Sequence, residues 1–188
     1  KVLLVVISIT FTTSISLFAK EQRSSVAVVV DKTTYKTISQ EIDNYIESIN
    51  AQGKKGILLI DSCGTPEPIK TTLQKLWREQ NLEGAILIGD IPIPMVRNAN
   101  HLSTGFKMSP KRPWIESSIP SDRYYDDFNL KFTFLKRDSL NKSLFYYSLD
   151  ADSPQKIDCT IYTSRIKPPK IEGMDKYQAI ALYLKKAY

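Results

Sequence analysis

The sequence predicts an α/β protein built round a βαβαβ parallel sheet flanked by helices, and three observations predict it. Three short runs, SVAVVVD at 25–31, GILLID at 56–61 and GAILIGD at 84–90, are apolar at consecutive positions, the pattern of strands buried on both faces. The two stretches between them carry apolar residues at helical spacing. Each stretch is also too long for a hairpin, so right-handed crossovers between parallel strands are the default.

Each element can be justified from its residues. The β-branched run at 25–31 is too short for a helix and reads as the first strand. Ile38, Ile42, Tyr45, Ile46 and Ile49 then form one helical stripe, with Thr37 placed to cap its start and Gly53 beyond its end. After the second strand, Thr65 and Pro66 open another helix whose stripe is Ile69, Leu73, Leu76 and Trp77. The third strand leads into residues 91–120, where five of the ten prolines remove backbone donors; this stretch is predicted to be a long surface loop without regular structure. It leaves the carboxyl end of a parallel strand, where ligands usually bind. The stretches NLKFTFLK and SLFYYSLD read as a hairpin insertion, IDCTIYTSRI at 157–166 as a further strand, and Tyr177, Ile180, Leu184 and Tyr188 as the stripe of a closing helix. KPPKIEG at 167–173 is the only linker-like stretch, so one domain is expected from residue 25 to 188.

Composition narrows the setting. Residues 1–19 are an apolar run behind Lys1, with charge returning at Lys20, Glu21 and Arg23; Leu17 and Ala19 occupy the −3 and −1 positions of a cleavage site. A signal peptide is expected, and with it a secreted, cell-surface or periplasmic location and no stable membrane span after cleavage. Cys63 and Cys159 are the only cysteines and are expected as separate thiols rather than a disulfide framework. The net charge of +6 comes from 26 basic residues scattered among 20 acidic ones, which favours solubility and argues against a nucleic-acid partner.

Few residues carry chemistry by themselves. Cys63, in GILLIDSCG, follows a buried strand as an exposed nucleophile would, and the tetrad DSCG resembles the nucleophile segment of metacaspases. The sole histidine, His101, lies downstream in the proline-rich stretch, whereas metacaspases carry theirs upstream, so Cys63 and His101 are expected to be non-catalytic. Dinucleotide, P-loop, zinc-protease and serine-hydrolase motifs are all missing from the sequence. Asp122, Asp126 and Asp127, with Asp150 and Asp152, supply hard oxygens that could hold a structural Ca²⁺ between two loops. Their spacing fits no EF-hand, and turn-capping is the more ordinary use of aspartate. Tyr124, Tyr125, Phe128, Tyr146 and Tyr147 are expected to pack strands against helices.

Three segments, LEGAILIGDIPIP, SDRYYDDFN and IDCTIYTSRI, resemble in this order the first half of the catalytic domain of gingipain-type cysteine peptidases. The matching positions are Leu87, Ile88, Gly89, Asp90, Ile91 and Pro92, then Ser121, Asp122, Tyr124 and Tyr125, then Arg165 and Ile166. The closing helix QAIALYLKKAY is similar as well, so the likeness spans residues 25–188. Ser164 stands where the family carries glycine, and the stretch 129–148 is extra. The resemblance implies a caspase-like fold of two side-by-side subdomains, of which this chain looks like the first, supporting one. The family's catalytic histidine and cysteine match no residue here and are expected beyond residue 188. The function so implied is that of the N-terminal portion of a secreted cysteine endopeptidase, acting on polypeptide through the second subdomain and inactive alone, with no cofactor beyond a structural Ca²⁺. A non-catalytic secreted binding or scaffold domain of the same fold is the alternative.

Overall fold

In the computed structural model, residues 24–62, 64–99, 109, 111–168 and 170–187 are described. The expected signal peptide at 1–19, Cys63, His101 and Tyr188 lie outside them.

Four parallel strands form the first sheet in the order β2 (Lys55–Asp61), β1 (Ser25–Asp31), β3 (Leu82–Ile88), β8 (Tyr162–Ile166). β1 is central, and Val26 through Val30 are all buried, because helices cover both faces of the sheet. On one face α1 (Lys32–Ala51) and α5 (Lys176–Ala187) close over Val26, Val28, Val30, Ile86 and Ile88. On the other, α2 (Pro66–Gln80) packs with Ala27, Val29, Ala85 and Leu87. No helix of the described residues is long and apolar enough to cross a membrane.

The expected βαβαβ unit is present, with two local corrections. α1 starts at Lys32, not after Thr37: Asp31 caps it, accepting the Thr33 and Thr34 amides at 3.0 and 2.9 Å. Thr37 instead donates its hydroxyl to the Thr33 carbonyl, and the helix kinks at Ile38 (φ −132°, ψ 41°). An aspartate closing a strand outranks a threonine inside the stripe as a helix start. Trp77, expected in the buried stripe of α2, is 44% exposed and makes an edge contact with Phe128, at 5.8 Å between ring centres. The core on that side is already filled by Ile69, Leu73 and Leu76.

A second, mixed sheet has the order β5 (Ile119–Pro120), β4 (Ile93–Arg97), β7 (Leu144–Leu149), β6 (Phe132–Arg137). β6 and β7 are the expected antiparallel hairpin. The stretch 91–120, expected to lack regular structure, contributes β4, β5 and the short helix α3 (Trp114–Ser117). Pro94 sits inside β4 because of its direction. Ile93 donates toward β7, to the Ser143 carbonyl at 2.8 Å, so Pro94 presents its backbone to the opposite flank. There β5 pairs only with Met95 and Val96, while the Pro94 carbonyl accepts the Ser121 amide at 2.9 Å. The donor that proline lacks is not needed by the ladder.

Gly89 follows β3 directly, with φ at +82°. A Cβ there would overlap the Asp31 carboxylate and lie 2.5 Å from the Thr34 hydroxyl, the two groups that start α1. Gly89→Ala should therefore destabilise the fold by about 2–4 kcal/mol, from left-handed strain plus the clash. Gly53, also at positive φ (+83°), has nothing within 4 Å of the same position. Gly53→Ala should cost only about 1–2 kcal/mol, and urea unfolding of the two variants side by side measures the difference.

Candidate functional site

The carboxyl end of β3 is where the chain gathers its polar side chains. The Gly89 turn brings the Asp90 amide to the second carboxylate oxygen of Asp31, at 2.8 Å, tying the end of β3 to the start of α1. Burial pushes the Asp31 carboxyl up, but the Thr34 hydroxyl, the Thr34 and Asp90 amides and Lys176 outweigh it, holding the group below the ordinary aspartate value. The Asp90 side chain pairs with Lys176 on α5 and stands 4.0 Å from Lys167.

One residue further, Ile91 is fully buried and the carbonyls of Ile91 and Pro92 turn toward β8. Arg165, which sits opposite Leu87 in the ladder, reaches them with Nη1 at 2.8 Å and Nη2 at 3.1 Å. Its other contacts form a two-pronged pair with Asp122: Nε to Oδ2 at 3.1 Å and Nη2 to Oδ1 at 2.7 Å. Tyr125, on α4 (Arg123–Asp126), donates its hydroxyl to the Pro92 carbonyl at 2.9 Å and is fully buried. Burial drives the Tyr125 phenol well above its ordinary value, so it stays a donor across the physiological range. Ile91, Pro92, Asp122, Tyr125 and Arg165 thus meet at one node, although they come from three separated parts of the sequence.

The neighbouring residues pack around the node. Leu87 and Ile88 are core residues and Ile166 packs beside α5. The Ser121 amide holds the Pro94 carbonyl, and the Tyr124 ring lies 4.4 Å from that of Tyr147 and 5.5 Å from Phe132.

The five aspartates singled out as calcium ligands are engaged separately. Asp122 belongs to Arg165. Asp126 accepts Arg123 at 3.0 Å and the Thr163 hydroxyl at 2.7 Å; burial raises its carboxyl above the usual value. Asp127, fully buried, accepts the amides of Asn129 (3.1 Å) and Asp158 (2.9 Å). Asp150 accepts the Thr133 hydroxyl at 2.7 Å, and Asp152 pairs with Lys131 at 2.8 Å. Among the described residues no group of three or more histidines, cysteines or acids is placed to hold a metal ion. Cys159 is exposed with a free thiol and lies beside the Arg123 guanidinium.

Two groups escape sequence reasoning. The signal for Asp31 is present, since an acid ending an apolar strand ahead of a helix is a capping signature. Lys70 has no such signal. It lies on α2, its ammonium over the rings of Tyr124 (4.6 Å) and Phe132 (5.2 Å), and only the pairing of β6 with β7 brings Phe132 there. Compared with protein-family models, with curated proteins and with solved structures, the chain matches none.

The geometry of the node limits its chemistry. Arg165 makes four hydrogen bonds and its charge is met by Asp122, so the group fixes backbone rather than presenting a free reactive atom. Arg165→Lys, which keeps the charge and loses the planar fork, should cost about 2–3 kcal/mol in urea unfolding; the side chains of the pair are 16% and 25% exposed, short of full burial. Asp122→Ala in the Arg165→Lys background should then cost far less than alone, which a double-mutant cycle reads.

Lys70 gives a pH signature. Burial lowers its pKa to about 8, against the partial opposition of Asp127 and Asp126. Between about 8 and the unfolded value of 10.5 the folded chain has released a proton that the unfolded chain retains, so this group makes stability rise with pH across that window. Lys70→Met keeps the aliphatic stem, and the slope of stability against pH from 8 to 10 should be less positive in the variant than in the wild type, as measured by urea unfolding at each pH.

Proposed function

We propose that this chain is the supporting, N-terminal subdomain of a secreted gingipain-like cysteine endopeptidase. In this reading the histidine base and cysteine nucleophile come from a second subdomain, which also binds the polypeptide substrate. A caspase-like arrangement of the two subdomains belongs to the same proposal. The observation that carries it is the convergence of the node: Ile91 and Pro92 of the first gingipain-like segment and Asp122 of the second are joined through Arg165 of the third, and Tyr125 of the second meets the same Pro92 carbonyl. Chance matches in short segments have no reason to meet in space.

The chemistry expected of the whole enzyme is attack of a thiolate on the peptide carbonyl, with the imidazolium protonating the leaving amine. The node's part would be to hold the carboxyl end of the sheet rigid, so that loops resting on it keep their positions. A structural Ca²⁺ remains part of the proposal only as a ligand outside the Arg165–Asp122 pair, whose acceptors are taken.

The test has two arms. The purified 188-residue chain, incubated with casein under reducing conditions, should give no cleavage that iodoacetamide blocks. A longer product of the same reading frame should give such cleavage, lose it when one downstream cysteine is changed to alanine, and keep it with Cys63→Ala. Thiol-dependent cleavage by the short chain that disappears with Cys63→Ala would overturn the reading, and so would a reading frame that supplies no downstream histidine and cysteine.

A further inference from the structure

Lys70 takes no part in the node, and its surroundings are unusual for an ammonium. The side chain leaves α2 toward two aromatic walls, with Nζ 4.6 Å from the centre of the Tyr124 ring and 5.2 Å from that of Phe132. The two ring centres are 5.5 Å apart, and Tyr124 is buried. An ammonium has three N–H donors. Among the described residues these meet one acceptor, the Leu130 carbonyl at 3.4 Å, and no carboxylate pairs with them. Lys70 nevertheless keeps part of its surface exposed.

The titratable groups around it are held by other partners. Glu67, one turn earlier on the same side of α2, accepts the Tyr147 hydroxyl of β7 at 2.5 Å. Asp126 of α4 is taken by Arg123 and Thr163, and Asp127 by the amides of Asn129 and Asp158. Burial drives the Tyr124 phenol up to about 12, so it stays protonated. Burial lowers the Lys70 pKa to about 8, and Asp127 and Asp126 offset this only in part. An amine so placed has its lone pair free at neutral pH far more often than one in water, which is what makes lysine a nucleophile.

The surroundings also select the electrophile. An acyl donor would turn the amine into an amide and abolish the charge that the two rings and the two aspartates favour. A protonated imine keeps that charge and carries a single N–H, matched to the single carbonyl of Leu130. The aspartates disfavour an anionic reagent, and the rings favour an apolar one. We propose that Lys70 is a covalent capture site for small, uncharged aldehydes, held as an imine beside Tyr124 and Phe132. Lys70 first gives one proton to water. Its lone pair then forms a C–N bond to the aldehyde carbon, and a second proton passes from nitrogen to the carbonyl oxygen. The resulting hydroxyl takes back the first proton and leaves as water while the C=N bond forms. Nothing is oxidised or reduced, and hydrolysis reverses the step. The proposal goes beyond the endopeptidase reading and does not rest on it.

The test incubates the full 188-residue protein near neutral pH with limiting benzaldehyde and cyanoborohydride, which traps the imine as a benzylamine. Peptide mass spectrometry locates the adducts. Lys70 should be labelled at least about tenfold more than the average of the other lysines, since a fall from 10.5 to about 8 raises the neutral fraction by more than that. In urea the preference should vanish, because the rings no longer enclose the side chain. Glyoxylate, an anionic aldehyde, should show no preference for Lys70. Phe132→Ala, checked for folding by circular dichroism, should lower the preference for benzaldehyde. Equal labelling of Lys70 and the other lysines in the folded protein, a preference that survives unfolding, or one equally strong with glyoxylate would each overturn the proposal. An unchanged preference in folded Phe132→Ala would overturn it too, and the wild-type comparisons stand whether or not that variant folds. The readout is an adduct and not cleavage, so these outcomes are separate from those of the casein assay.

Discussion

The fork of Arg165 is the contact on which the carboxyl end of the parallel sheet depends. A guanidinium has five donors in one plane, and here that plane is set by β8, whose register against β3 fixes the residue opposite Leu87. From that position it satisfies two consecutive carbonyls, of Ile91 and Pro92, and a carboxylate from a segment thirty residues later. Ile91 and Pro92 have just left the sheet, so no ladder is available to take their carbonyls. Without Arg165 the Ile91 carbonyl would lose this donor, a costly loss beside a fully buried side chain, while the Pro92 carbonyl would keep the Tyr125 hydroxyl.

The second sheet is located by the same contact. Asp122 lies between β5 and α4 and Tyr125 lies on α4, and both are held at the node, so β5 is brought alongside β4. β4 in turn pairs with β7, which delivers Phe145 and Tyr147 to the cluster that also holds Leu73 and Leu76 of α2. The Tyr147 hydroxyl then reaches Glu67 on α2 at 2.5 Å. One face of the parallel sheet is thus shared between a helix and a second sheet. A node that positions the first strand of that sheet positions the aromatic core beneath it.

How much of this can be read from the residues depends on the distance over which each signal acts. β1 and β3 announce themselves because burial on both faces forces an all-apolar run, and Val26–Val30 obey that without exception; β2, at the sheet edge, carries the same run although none of its residues is fully buried and Ile60 is 44% exposed. Trp77 departs from expectation because periodicity reports which residues share a helix side, not where the core beneath them stops. Pro94 departs from it because proline is a local veto on hydrogen bonding, whereas a strand asks for a donor only on alternate sides. At the node the resemblance gathers the right residues, but nothing in Arg165 or Asp122 alone says that they pair: that depends on β3, β5 and β8 arriving together. Lys70 lies at the far end of the scale, its environment assembled from α2, α4 and β6.

The place where doubly wound folds usually bind their ligands is already filled here. β1 and β3 are adjacent, yet the chain leaves them in opposite directions, toward β2 and toward β8, so their carboxyl ends flank the switch point at which a crevice opens. A helix begins there, and helix starts attract anions. The anion in this molecule is its own: the Asp31 carboxylate takes the Thr33 and Thr34 amides, the Thr34 hydroxyl and the Asp90 amide. Asp90 beside it is bridged by Lys176, and the next two carbonyls are closed off by Arg165. Among the described residues, Asp31, Asp90 and the carbonyls of Ile91 and Pro92 are used to brace the turn after β3. The contacts that brace this turn tie β1, β3, β8 and α5 together at one end of the sheet, so that the start of α1 and the start of the second sheet are held by the same few side chains.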